Sequence, residues 1–148
     1  MVNAFIFHGT YGYPEENWFP WLKNELEKLG CSTTVPKFPT PENQTLANWL
    51  KAFTPLESQL DGETVLIGHS MGSAFALDIL QMKTRRVKAV FLVSPSIADL
   101  PDPEDRFNKL NRSFYEEGFD WSTIKKNSGS FRAIGARYLY HFKRQVYS

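Results

Sequence analysis

Residues 68–72 read Gly-His-Ser-Met-Gly, a G-x-S-x-G spacing that can present a serine hydroxyl for attack on a carbonyl carbon. Each residue type has a physical reason. The serine sits on a sharp strand-to-helix turn in a strained backbone conformation that lifts its oxygen clear of the sheet. Side chains two positions before and after it would collide where strand and helix converge, so glycine is required at both. The helix that follows aims its positive end at a developing oxyanion, and the Met71 backbone N–H is one candidate donor. Ser70 is therefore the expected nucleophile.

A serine nucleophile needs a base within hydrogen-bond reach and an acid that orients the base. In this kind of site the chain order is serine, acid, histidine. The chain has three histidines, His8, His69 and His141. His69 lies inside the turn and is expected to point away from Ser70, and His8 is expected in a loop floor. His141 is then the candidate base. Asp99, just past the fourth predicted strand and at the sheet edge where ligands bind in such folds, is the candidate acid. The plainer reading of "ARYLYHFK" is an aromatic packing segment in which His141 has no chemical role.

A second oxyanion donor should come from an early loop. His8-Gly9-Thr10-Tyr11-Gly12 fits: the Thr10 N–H is the first candidate, Tyr11 the next, with Gly9 giving the close approach. The alternative is a glycine turn held by a structural hydrogen bond from His8.

These residues need a scaffold. "NAFIF" is a short apolar run that stops at His8-Gly9, as a buried strand does. Trp18, Leu22, Leu26 and Leu29 at helical spacing predict a helix with Asn17 as N-cap and Gly30 as its stop. "CSTTVPKF" reads as a strand containing Cys31. Leu46, Trp49, Leu50 and Phe53 predict a helix capped by Thr45 and interrupted at Pro55. "TVLIG" is a third strand, 73–82 a third helix, and "VKAVFLVSPS" a fourth strand expected to be buried on both faces. Such alternation indicates an α/β fold with a mostly parallel sheet flanked by helices. After Ser96 an irregular insert carries one helix started at Asp102 and Pro103, then a short helix capped by Asp120. Phe107, Phe114, Tyr115, Phe119 and Trp121 are expected to form a small cap over Ser70.

Composition narrows the function. The 148 residues suit one domain, with 42% hydrophobic and 22% charged residues and a net charge of +1. That balance argues against a nucleic-acid binder, whose footprint is strongly basic; the six Lys and Arg after Trp121 read as a solvated face. No apolar run approaches the ~20 residues of a membrane helix, and no signal peptide is evident. The single cysteine rules out an internal disulfide and a cysteine-rich metal site. A cytoplasmic location is the resulting expectation.

"FIFHGTYGYPEENWFPWLKNELEKLG", "VPKFPTPENQTLANWL", "TVLIGHSMG", "VFLVSPS" and "FDWSTIK" together resemble the small serine hydrolases of the retinoblastoma-binding protein nine and YdeN family over about residues 1–131. The resemblance implies a minimal α/β-hydrolase fold, esterase-like chemistry on small ester or acyl substrates and no cofactor. It also implies Ser70 as nucleophile, with Gly9, Thr10 and Met71 shaping the oxyanion hole. The family carries its acid in an Asp-rich loop after the next strand and its base in a late Gly-His-Phe stretch. Here no acidic residue follows Asp120, and residues 132–148 match nothing in that pattern. The expectation is a family fold lacking its C-terminal strand and helix, through truncation or a frame change. The alternative to a working hydrolase is accordingly a non-catalytic binding module, or an inactive truncated enzyme lacking the triad Asp and His.

Overall fold

The computed structural model describes residues 1–82 and 85–135. The strands β1 (Asn3–Phe7), β2 (Ser32–Thr34), β3 (Val65–His69), β4 (Val87–Val93) and β5 (Ser128–Ile134) form one sheet in the order β2-β1-β3-β4-β5. Every pairing is parallel. The order runs one way from β1 to β2 and the other way from β3 to β5. The switch point therefore lies between the carboxyl ends of β1 and β3, where open α/β sheets bind ligands.

The period-two alternation of the strands decides which side chains meet which layer. Phe5, Phe7, Leu66, Val90 and Leu92 face the main core with α2 (Leu46–Phe53), α3 (Met71–Met82) and Ile124 of α5 (Trp121–Asn127). Ile6 and Ile67 face the other way, onto α1 (Phe19–Lys28) through Phe19, Leu22 and Leu26. β4 is not buried evenly on both faces as its composition suggested. Lys88 is exposed, while Phe91 and Val93 are half-buried.

Local rules account for most element ends. The Thr45 hydroxyl accepts the Asn48 N–H and caps α2, and Asp120 does the same for α5 through Thr123. Past α2 the chain tightens into a 3-10 turn over Thr54–Gln59 with Pro55 at its start. At α1, by contrast, Asn17 is not the cap; it adopts a left-handed φ of 50° and Trp18 takes the cap position without a side-chain bond. The insert helix also starts later than expected, as α4 (Arg106–Asn111), since the Asp102 carboxylate accepts the Phe107 N–H at 2.7 Å and holds the preceding residues as a turn. Cys31 immediately precedes β2 and is half-buried.

A cluster of rings underlies the carboxyl edge of the sheet. Phe38 and Trp49 stack with centroids 4.5 Å apart, and Phe7, Phe75 and Phe114 meet them edge-on or tilted. Phe114 is thus a core residue and not part of a cap, while Tyr115, Phe119 and Trp121 pack against the same core. That rigid floor carries the loops described next.

Candidate active site

Ser70 lies between the end of β3 and the start of α3 with φ at 53°, a left-handed conformation costly for a residue with a Cβ. Backbone bonds on both sides enforce it. The Ser70 N–H donates to the Val93 carbonyl at 3.0 Å, and the Ser70 carbonyl accepts the N–H groups of Ser73 and Ser96 at 3.0 and 3.1 Å. The Ser73 hydroxyl, fully buried, donates to the Gly68 carbonyl at 2.9 Å and ties the first helical turn back to the strand. Both glycines are sterically required. A Cβ on Gly68 would lie 2.6 Å from the Ser73 Cα, and one on Gly72 would lie 2.6 Å from the His8 carbonyl oxygen. The turn that the pentapeptide predicted is present.

The loop after β1 comes up against this turn. A Cβ on Gly9 would sit 3.0 Å from the Ser70 Cβ and 3.5 Å from the Met71 nitrogen. The absence of that carbon brings the Gly9–Thr10 backbone alongside the Met71 amide. The Gly9 carbonyl accepts from the Gly12 N–H at 3.0 Å and from His8 Nδ1 at 2.8 Å. The two candidate donors differ. The Tyr11 N–H is already given to the Thr40 hydroxyl at 2.7 Å, whereas the Thr10 N–H has no partner among the described residues. Thr10 is the better placed of the two to receive an oxyanion.

The histidines divide as follows. His8 is fully buried. Its Nε2 accepts the Phe38 N–H at 3.0 Å, which assigns the proton to Nδ1. With both ring nitrogens engaged, and the imidazolium disfavoured by burial, His8 is the structural residue of the glycine turn. His69 packs edge-on against Trp18 and Phe19, with ring centroids 5.7 Å away in each case. Its Nδ1 is buried without a hydrogen-bond partner among the described residues, and desolvation lowers its pKa. His141 lies outside the described residues.

Asp99 sits at the exposed mouth of the insert. Its carboxylate accepts from Arg112 Nη2 and the Tyr115 hydroxyl, each at 2.9 Å. Arg112 also bridges to Asp105 at 2.7 Å. The hydrogen bonds from Arg112 and Tyr115 hold the Asp99 carboxyl below the usual range, so it is ionised at neutral pH. The same network pushes the Arg112 and Tyr115 pKa values up, Tyr115 chiefly through burial.

Sequence reasoning missed a buried amide cluster beside the loop. The Thr10 hydroxyl donates to Asn111 Oδ1 at 2.6 Å, and Gln44 Nε2 donates to both Asn111 Oδ1 and Thr10 Oγ1 at 2.7 and 2.9 Å. Nothing in the local pattern singles out Gln44 or Asn111, because they converge from segments 67 residues apart. Only the polar run "TPENQT" hinted that the 40–45 loop does more than connect.

Comparison with known proteins gives the family and the fold. The family described as "Serine hydrolase" matches residues 4–117. The YdeN protein of Bacillus subtilis (strain 168) is 29% identical over 100 residues, covering 66% of this chain and 53% of that protein. Serine hydrolase RBBP9 of Rattus norvegicus is 30% identical over 111 residues, covering 74% and 56%. The chain thus spans about half the length of these relatives. The crystal structure of the ydeN gene product from B. subtilis superposes with a TM-score of 0.88 at 23% identity, covering 100% of this chain and 82% of that one, which is a likeness of fold. A parallel five-stranded sheet with a left-handed serine at its switch point and a family match over most of the chain lead to one conclusion: this chain belongs to the serine hydrolase family and has an α/β-hydrolase fold.

Proposed function

We propose that the chain carries out esterase-like chemistry on small ester or acyl substrates, with Ser70 as the nucleophile. The observation that carries this reading is the strained φ of Ser70 between two glycines that admit no Cβ. Strain of this kind is retained where the surrounding structure over-determines it, and it clusters at reactive residues. Ser70 Oγ would attack the substrate carbonyl carbon as its proton passes to a base. The carbonyl π electrons move onto oxygen, which the Thr10 and Met71 amides receive. Collapse of the tetrahedral adduct expels the alcohol, and water then releases the acid.

With His8 held by the Gly9 carbonyl and the Phe38 amide, and His69 packed on rings, the base in this proposal is His141. Asp99, an exposed and ionised carboxylate, serves as its acid by exchanging one of the bonds it accepts from Arg112 and Tyr115 for the imidazole N–H. The tight Arg112–Asp99 pairing favours a second reading, a chain that binds or acylates without fast turnover. A fluorophosphonate probe and a p-nitrophenyl ester separate the two. Labelling lost in Ser70→Ala, with steady ester turnover lost in His141→Ala, supports the enzyme. A labelled chain showing only a stoichiometric burst supports the second reading. No labelling of folded protein sinks the esterase reading and leaves a chain that only binds.

A further inference from the structure

Among the described residues, Thr40, Gln44 and Asn111 form a hydrogen-bonded relay beside the loop after β1. The Tyr11 N–H donates to the Thr40 hydroxyl, and that hydroxyl donates to Gln44 Oε1 at 2.5 Å. The Gln44 amide then spends its two hydrogens on Thr10 Oγ1 and Asn111 Oδ1, and the Thr10 hydroxyl also ends on Asn111 Oδ1. Both members of the loop, the Thr10 side chain and the Tyr11 backbone, are thereby clamped from one side. Gln44 is 5% exposed and Asn111 not at all. At its inner end, around Gln44 and Asn111, the relay is dry, so a bond there is strong and a missing one costly, while the Tyr11–Thr40 bond at its outer end is exposed.

Asn111 gives the strongest hint that this cluster is more than packing. Its Oδ1 accepts two bonds while its Nδ2 is buried with no partner among the described residues. A leucine would fill the same volume without leaving a buried donor unpaired. Retention of the amide despite that cost indicates that its acceptor face is being used. The loop it grips is the one whose Gly9 lies against Ser70 and the Met71 nitrogen.

The geometry points to Thr40, Gln44 and Asn111 as positioning residues that hold the Thr10 amide at its oxyanion-binding orientation. This inference rests on the proposed role of that loop. The relay takes up the Tyr11 N–H, leaves the Thr10 N–H open, and joins the loop to α4 of the insert through Asn111. A donor displaced by about 1 Å loses up to about 100-fold in rate, so small slack in the relay is expected to be read as kcat.

The test compares Thr40→Val, which removes the hydroxyl at equal size, with Thr40→Ser, which keeps it, and adds Gln44→Leu. The fluorophosphonate labelling rate at Ser70, kcat and KM for a p-nitrophenyl ester, thermal midpoints and Tyr11 amide exchange are measured on the full chain. Thr40→Val and Gln44→Leu are expected to slow labelling and kcat about tenfold or more, with KM within about twofold and faster Tyr11 exchange. Thr40→Ser is expected to retain the parental rate. Parental labelling rates in Thr40→Val and Gln44→Leu would overturn the assignment. So would a loss shared equally by Thr40→Ser, or one that tracks the thermal midpoint alone. A parent chain that never labels at Ser70 removes the oxyanion reading itself, a failure separable from the others because it occurs before any substitution.

Discussion

Gly72 passes directly beneath the end of β1: a Cβ placed on it would stand 2.6 Å from the His8 carbonyl oxygen and closer still to that of Phe7. Both obstacles are backbone atoms of a buried strand end, so neither can yield cheaply. This one approach brings the helix after Ser70 and the loop after His8 to the same point. The approach of that loop to Ser70 thus depends on two glycines, Gly72 against the end of β1 and Gly9 against Ser70.

Gly72→Ala is expected to cost about 2–3 kcal/mol or more in unfolding free energy and to abolish fluorophosphonate labelling. Gly62→Ala is the control, because a Cβ there meets nothing within 4 Å and should change stability by no more than about 0.5 kcal/mol. Urea titration of both variants checks the contrast. Equal stabilities would mean that β1 and α3 are less tightly apposed than described.

Ser70 stores strain that its chemistry does not need for folding. A left-handed residue with a Cβ costs roughly 1–2 kcal/mol, which glycine avoids. Ser70→Gly is therefore expected to be more stable than Ser70→Ala by about 1 kcal/mol, although neither accepts the probe. Thermal unfolding of the pair decides the matter, and Ser70→Ala matching or exceeding Ser70→Gly would argue against a strained turn.

The fold and the turn were readable because their rules are local. Alternating strands and helices, glycines flanking Ser70, and side-chain caps at Thr45 and Asp120 are each set by neighbours a few residues away. The amide relay was not readable, since Thr10, Gln44 and Asn111 meet only after three separate segments have packed. Phe114 shows the same limit from another side. Its type and position suit a lid as well as a core, and its contact with Trp49 decides in favour of the core. The Asp99–Arg112–Asp105 cluster belongs to the same class, as charges in an irregular insert acquire partners through tertiary docking alone.

Asp78 on α3 is 2% exposed, and burial pushes its carboxyl up to about 8 despite a hydrogen bond from Gln81. The folded state therefore holds a proton that the unfolded chain gives up near pH 4. Stability is greatest below that pH and is lost as pH rises to about 8, at about 1.4 kcal/mol for each unit of pKa displacement. Asp78→Asn keeps an oxygen for Gln81 and removes the ionisation. The variant is expected to gain a few kcal/mol over the parent at pH 8 and little at pH 4. Denaturant midpoints at the two pH values test it, and a gain independent of pH would point to packing instead.

His8 and His69 act in the opposite sense to Asp78. Burial lowers both pKa values from 6.5, so the unfolded chain takes up protons that the folded state refuses. Their contribution is present in full above pH 6.5 and is lost as pH falls below it. For His8 the cause is structural as well, because a proton on Nε2 would displace the Phe38 N–H from its acceptor. Between about pH 4 and 6.5 the parent chain adds a falling Asp78 penalty to two growing histidine penalties, so Asp78 offsets part of the histidine slope there. In the Asp78→Asn background the histidine limb stands alone, and stability should drop visibly on acidification from pH 7 to 5. Adding His69→Phe, which suits the Trp18 and Phe19 rings and discards a buried unpaired nitrogen, should make that limb shallower without lowering stability at pH 7. An unchanged acid slope in the double variant would assign the whole limb to His8 and its bond with Phe38.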